Sequence, residues 1–443
     1  MTGRIGGLLR GPQANRVLTF ADQGLSSASN MLLSVAIASS VSASAFGRFA
    51  ILYSIYLLLL GLARAAVLDP LLITSRNVLS GAPVHLIAVA GTAVLGVLGI
   101  PIGLVLLATP LEASWGVFFL ALPFLLLQDA LRYVAFLSKR PGRAVLLDTV
   151  WLVVMAVAAA LSLTGVMTGT ASIIASWGLG ALVSVLVGLA VFRLKPERLP
   201  LRTHMKSVWP VSGPLIGDFG LSSASSQILV FMLPLVAGTA LLGSLKAAQV
   251  ANGPLHIATA AAAVICLPLV ADAVDAGNGP RAALRIGRLA GATLAVVALS
   301  YGALLLLMPD GFGRALFGES WGTGWLVAAV SLQQVAIGAM QGALLILRGS
   351  RNTRRALHVR LAITPVNVLV PVLLTAVWGR AGLIAGIVGT ASVTAVIWWV
   401  IASRIRIAGA GAGAGVEGGA ADPAPRGPLP APGEAEASTV DAP

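Results

Sequence analysis

Eight residues carry most of the chemistry open to this sequence, and each lies within a long apolar run. Asp22 opens the stretch DQGLSSASN, and Asp218 opens DFGLSSASS, a second copy identical at seven of nine positions and offset by 196 residues. A carboxylate in an apolar run can carry a proton or a small cation, so Asp22 and Asp218 are candidates for ion coupling. The competing reading is that each is neutralised by a nearby loop arginine. Asp129 and Arg132 stand three residues apart, which places them on one helical face. They form a structural ion pair, or they face a cavity in which Arg132 meets an anion and Asp129 gates it or holds the coupling ion. Arg64 binds an anionic ligand or extends its guanidinium to the headgroups. In LKAAQVANGP, Lys246 and Gln249 share a polar stripe one turn apart, and Gly253-Pro254 should kink or break the helix below them. Gln333, Gln334 and Gln341, of which Gln334 and Gln341 share a face with Gly338, can bond a sugar or a neighbouring helix. Gly24/Ala28 and Gly220/Ala224 read as small-residue seams for close helix packing.

Several chemistries find no residues. There is no GxxxxGK[ST] phosphate loop, so the chain has no ATPase of its own. The four histidines lie far apart and Cys266 is the single cysteine, so neither a metal site nor a disulfide is expected. The loops opposite the basic ones hold only Glu112, Asp310 and Glu319, poor provision for a glycosyltransferase. No cofactor and no enzymatic activity are expected.

The elements that position these residues follow from composition. Of 443 residues 57% are hydrophobic and only 10% charged, with a mean hydropathy of +0.93. So few charges could not cover a soluble surface, so the chain is a polytopic membrane protein. With ~20 apolar residues needed per crossing, the runs divide into twelve spans: 17–41, 46–72, 85–107, 115–137, 144–164, 171–192, 208–236, 241–271, 286–308, 322–347, 359–378 and 382–402. The first is retained as a span rather than a cleaved leader because it carries Asp22, Gln23 and Asn30. With both termini in the cytoplasm, 22 loop cations fall inside and three (Arg48, Arg314, Arg380) outside, as the positive-inside rule requires. The net charge of +13 is therefore a topology signal and not a nucleic-acid patch.

The expected organisation is a cytoplasmic N-terminus (1–16), a six-helix lobe (17–192), a basic loop (193–207), a second six-helix lobe (208–402) and a disordered cytoplasmic tail (403–443). An even number of helices per repeat makes the lobes parallel, related by a pseudo-two-fold along the membrane normal. Such repeats place a substrate cavity between lobes that rock to alternate access.

The six-plus-six arrangement, with DQGLSSASN followed by AFGRFAILYSIYLLLLGL and its echo followed by LLGSLKAAQ, resembles the multidrug/oligosaccharidyl-lipid/polysaccharide (MOP) exporter superfamily over roughly residues 15–405. Within it the chain is most similar to the bacterial polysaccharide-biosynthesis flippases of the O-antigen and teichuronic-acid type. The resemblance implies an all-α, MATE-like fold in the bacterial cytoplasmic membrane, working as a monomer. It also implies translocation of a lipid-linked oligosaccharide to the outer leaflet, coupled to H+ or Na+ or to the membrane potential. Cavity cations hold the pyrophosphate in such proteins; by position Arg64, Arg132 and Lys246 are the candidates, and Arg48 a poorer one. The alternative is cation-coupled antiport of drugs or other small molecules. Lipid II flippases typically have two further C-terminal helices, in whose place the expected disordered tail stands here. A major facilitator reading fails because the Gly...Asp-Arg...Gly-Arg motif is absent between the second and third spans.

Overall fold

The computed structural model describes residues 12–73, 84–194, 201–220, 225–275, 279–322, 324–350 and 353–404. Residues 1–11 and 405–443, which hold most of the expected N-terminal segment and tail, lie outside the described residues. The described residues are helical throughout apart from short connections.

The first lobe comprises α1 (Pro12–Ser40), α2 (Ala43–Ala63), α3 (Val84–Val97, continued as Gly99–Leu107), α4 (Ala113–Leu137), α5 (Pro141–Leu163) and α6 (Thr170–Phe192). Ser42 caps α2, its side chain accepting a hydrogen bond from the Ala45 amide. α2 does not end at Arg64. It passes through a π-helical turn, Arg64–Leu68, and runs on as Asp69–Ile73. π turns of this kind are often found at functional sites.

The second lobe comprises α7 (Leu201–Phe219), α8 (Ser225–Ala251), α9 (Pro254–Asp275), α10 (Gly279–Leu307), the short α11 (Asp310–Phe317), α12 (Gly324–Gly349) and α13 (Thr353–Ser403). α7 begins earlier than the expected start at 208, taking up the part of the basic loop that follows Pro200. Two bends set the number of crossings. Gly238 (φ 78°) and Gly379 (φ 57°) take left-handed backbone angles, which glycine adopts without a Cβ clash. α8 thus belongs to two spans, and α13 folds back on itself as two arms. Ten helices among the described residues are long and apolar enough to cross a membrane, one of them being the 48-residue stretch Ala356–Ser403. Counting α1 and both arms of α13 gives the twelve crossings expected from sequence. The break at Gly253-Pro254 is present, since α8 ends at Ala251 and α9 starts at Pro254.

Arg140, Arg143 and Lys139 gather with His85 at one end of the bundle, the basic end. The lobes meet closely at the other end. There α2 crosses α8 with backbone against backbone: a Cβ on Gly47 would overlap the Thr239 carbonyl, and one on Gly243 the Ala43 carbonyl. Ser44 Oγ and Thr239 Oγ1 share a hydrogen bond of 2.6 Å beside this crossing. The 3-10 turn Gly318–Trp321 seals the same end against α1 at Ala38. Towards the basic end, α7 packs on first-lobe elements, with Ser212 Oγ donating to the Ala66 carbonyl at 2.9 Å, while α9 packs on α10 and α12 within its own lobe. The expected seams at Gly24 and Gly220 are not tight, because added Cβ atoms there would meet nothing within 4 Å. The close approaches lie instead at Gly47/Gly243 and at Gly287/Gly342, where α10 crosses α12.

Candidate functional site

The polar residues within the bundle separate into three groups, and the two lobes are built differently. In the first lobe the charges collect into one network. Arg64, at the start of the π turn, donates through Nε and Nη2 to both oxygens of Asp129 at 2.8 and 2.6 Å. Arg132, one turn along α4, donates to Asp129 Oδ1 at 3.1 Å and to Asp22 Oδ2 at 2.6 Å, and its Nε lies 3.2 Å from Asp148 Oδ1. Gln128 Nε2 also donates to Asp148 Oδ1, at 2.7 Å. Four elements converge here: α1 brings Asp22, α2 Arg64, α4 Gln128, Asp129 and Arg132, and α5 Asp148.

Two guanidinium groups facing three carboxylates leave one excess negative charge when all are ionised. Asp148 Oδ2 and Gln128 Oε1 are buried without a hydrogen-bond partner among the described residues. Both orphans are acceptors, so what the cluster leaves unmet is a hydrogen-bond donor, a proton or a cation, and not an anion. Burial decides what each cation can reach. Arg132 is 6% exposed and engaged with three carboxylates, so it is not presented to a ligand. The Arg64 side chain, 36% exposed, keeps an open face and stacks near Tyr133, whose hydroxyl donates to Asp69 at 2.8 Å.

At the lobe interface, the Lys246 ammonium lies over the Tyr53 ring, 4.9 Å from its centroid. Among the described residues no carboxylate stands within ion-pair distance of it. Arg48 is tied at the closed end to Glu112 at 2.6 Å and to Ser44 at 3.0 Å, away from these groups.

The second lobe holds a neutral chamber of about 350 Å³ between α8, α12 and both arms of α13. Gln249, Gln333, Thr364, Asn367 and Thr394 supply its polar wall, and Thr394 donates to Asn367 Oδ1 at 2.9 Å. Residues Thr364, Asn367 and Thr394 also line a contiguous pocket of about 360 Å³ that includes Arg360. Gln334 is not part of this wall. It is buried between helices with Oε1 unpartnered among the described residues, and its neighbour Gln333 faces the chamber.

The duplicated aspartates occupy unlike surroundings. Asp22 is sealed in the network, whereas Asp218 is exposed near the end of α7 and feels the charge of Arg348. Residues 221–224, the middle of the second copy, lie outside the described residues.

Of the residues that line these sites, Gln333 was marked in sequence as a hydrogen bonder, whereas Asp148, Arg360 and Asn367 were not singled out. Asp148 could have been, because a carboxylate in the middle of an apolar run is a signal by itself. Asn367, between Pro365 and Pro371, had no such mark.

The fold is that of transporters of the MOP superfamily. An inward-facing multidrug-resistance MATE transporter of that superfamily superposes with a TM-score of 0.64 at 15% identity, covering 87% of this chain and 97% of its own. The lipid II flippase MurJ, in an inward closed conformation, gives 0.65 at 11% identity, covering 88% of each chain. An outward-facing MATE transporter gives 0.54 at 16% identity, covering 90% and 96%. No protein-family model and no curated protein matches the sequence.

Proposed function

We propose that the protein flips a lipid-linked oligosaccharide between membrane leaflets by alternating access of its two lobes. The second-lobe chamber carries this reading. Amides and hydroxyls from Gln249, Gln333, Asn367 and Thr394 suit sugar hydroxyls, Arg360 supplies a cation for a phosphate, and among the described residues no carboxylate lines either pocket. Lys246 adds a second cation at the lobe interface, over the Tyr53 ring and with no carboxylate in ion-pair distance among the described residues. Among the described residues a cationic drug would find no counter-charge there. The arginine-rich end would face the cytoplasm, so the cargo would enter from that side.

The first-lobe network supports the coupling half of the mechanism. A proton or Na+ taken up at Asp22, Asp129 or Asp148 would neutralise the excess carboxylate and loosen the grip of Arg132 on α1 and α5. Antiport of small cations is the second reading, and it would share this coupling site.

The test is reconstitution in vesicles with a fluorescent lipid-linked glycan. Lys246→Gln and Arg360→Gln should each slow flipping tenfold or more, and wild-type rates in both would remove the anionic-cargo reading. Asp148→Asn should abolish the response to an imposed H+ or Na+ gradient, and a full response would exclude the cluster as coupling site. Export of a cationic dye by vesicles that leave the glycan in place would put antiport first.

A further inference from the structure

The two arms of α13 form a furrow on the membrane-facing side of the second lobe. Near the bend the arms touch: a Cβ on Gly382 would overlap the Leu374 carbonyl, and one on Gly386 would press on Pro371. One turn further on they part, and a Cβ on Gly389 would meet nothing within 4 Å. The furrow that opens there has a volume of about 640 Å³ and is walled by Val359, Val366 and Val370 on one arm and Gly389, Val393 and Ile401 on the other. From residue 389 to residue 401 a helix rises about 18 Å at ~1.5 Å per residue. That is close to the depth of one leaflet, half of a ~30 Å hydrocarbon core.

Two features distinguish this furrow from an ordinary lipid-facing surface. Thr390 and Thr394 belong both to its wall and to that of the neutral chamber, and Ile363 and Thr394 belong also to the pocket holding Arg360. An apolar slot one leaflet deep therefore runs directly into a site with a guanidinium and a set of amides and hydroxyls. The furrow is also a single slot, bounded by one helix on each side along its length.

We infer that the furrow is the binding site for the single hydrocarbon chain of the cargo lipid, of the polyprenyl-phosphate class. The phosphate then lies at Arg360 and the sugars in the chamber of Gln249, Gln333 and Asn367. This inference rests on the flipping reading above and adds to it where the tail goes. The tail stays in the membrane against α13 while the head enters the protein, so the bilayer solvates the chain throughout the passage.

The test uses the purified full chain in detergent, with polyprenyl phosphate as probe and phosphatidylglycerol as competitor, read by native mass spectrometry. Gly389→Trp and Val366→Trp fill the furrow from its two walls, at positions open to the membrane, so thermal unfolding should be unchanged. Both variants should weaken polyprenyl phosphate binding at least tenfold, and phosphatidylglycerol should displace the probe from the wild type poorly. Unchanged binding in both variants overturns the inference, as does displacement by phosphatidylglycerol at equal concentration, which would make the furrow a bystander-lipid site. Vesicle flipping separates the two ideas. If the wild type flips the glycan and both tryptophan variants flip it equally well, the furrow assignment fails and the function stands. If binding is lost in the variants while the wild type flips nothing, the furrow holds the lipid and the flipping reading fails.

Discussion

Replacing Arg132 by Gln removes the one cation that holds three helices of the first lobe together. Its guanidinium is bonded to Asp22 on α1 at 2.6 Å and to Asp129 on α4 at 3.1 Å, and lies 3.2 Å from Asp148 on α5. At an effective dielectric constant of about 20, each such pair is worth about 4 kcal/mol before desolvation. Most of that is offset by the cost of burying the ions, yet removing one partner of a buried pair still costs about 3–5 kcal/mol, because the remaining charges are left uncompensated. Here Arg64 alone would face three carboxylates. Arg132→Gln should therefore lower the unfolding midpoint in detergent far more than Arg64→Gln, since the Arg64 side chain is 36% exposed and solvent screens part of its loss. Adding Asp22→Asn to Arg132→Gln should recover part of the stability, with a coupling energy of about 2 kcal/mol in a double-mutant cycle. Equal midpoints for Arg132→Gln, Arg64→Gln and the wild type, or strict additivity in the cycle, would refute the view that these charges act as one network.

Other consequences follow from the contacts at the closed end and in the second lobe. With Cys266 replaced by Ser, Ser44→Cys/Thr239→Cys should form a disulfide under mild oxidant and stop transport until reduced, because the hydroxyls are 2.6 Å apart where α2 crosses α8; uninterrupted transport in the cross-linked protein would mean that this end does not open. Gln333→Ala should cut glycan flipping tenfold or more at unchanged stability. Gln334→Met should do the reverse, leaving flipping intact and holding or raising stability, since it removes a buried unsatisfied acceptor worth about 1–3 kcal/mol; measuring flipping and unfolding side by side separates the two. A cysteine at Arg143, at the basic end, should react with a membrane-impermeant thiol reagent only after cells are opened, and labelling of intact cells would invert the orientation.

How much of this could be read in the chain depends on whether a feature is local or long-range. Hydropathy counts carbon against water residue by residue, so twelve crossings, the duplication at Asp22 and Asp218 and the break at Gly253-Pro254 were all visible in sequence. The i,i+3 spacing also placed Asp129 and Arg132 on one face. Tertiary structure decided the partners. Only the approach of α1, α2 and α5 to α4 shows that Arg132 is neutralised by Asp22 and Asp148 as well as by Asp129, and that Arg64 takes both oxygens of Asp129. Identical residues in the two copies of the repeat therefore end in different surroundings, Asp22 sealed and Asp218 exposed. Helical phase likewise turned Gln333, not Gln334, toward the chamber, because adjacent residues on a helix point about 100° apart and only the packing of α12 against its neighbours sets which of them is buried. Sequence determines which groups must be taken out of water, and the packed bundle determines which of them meet.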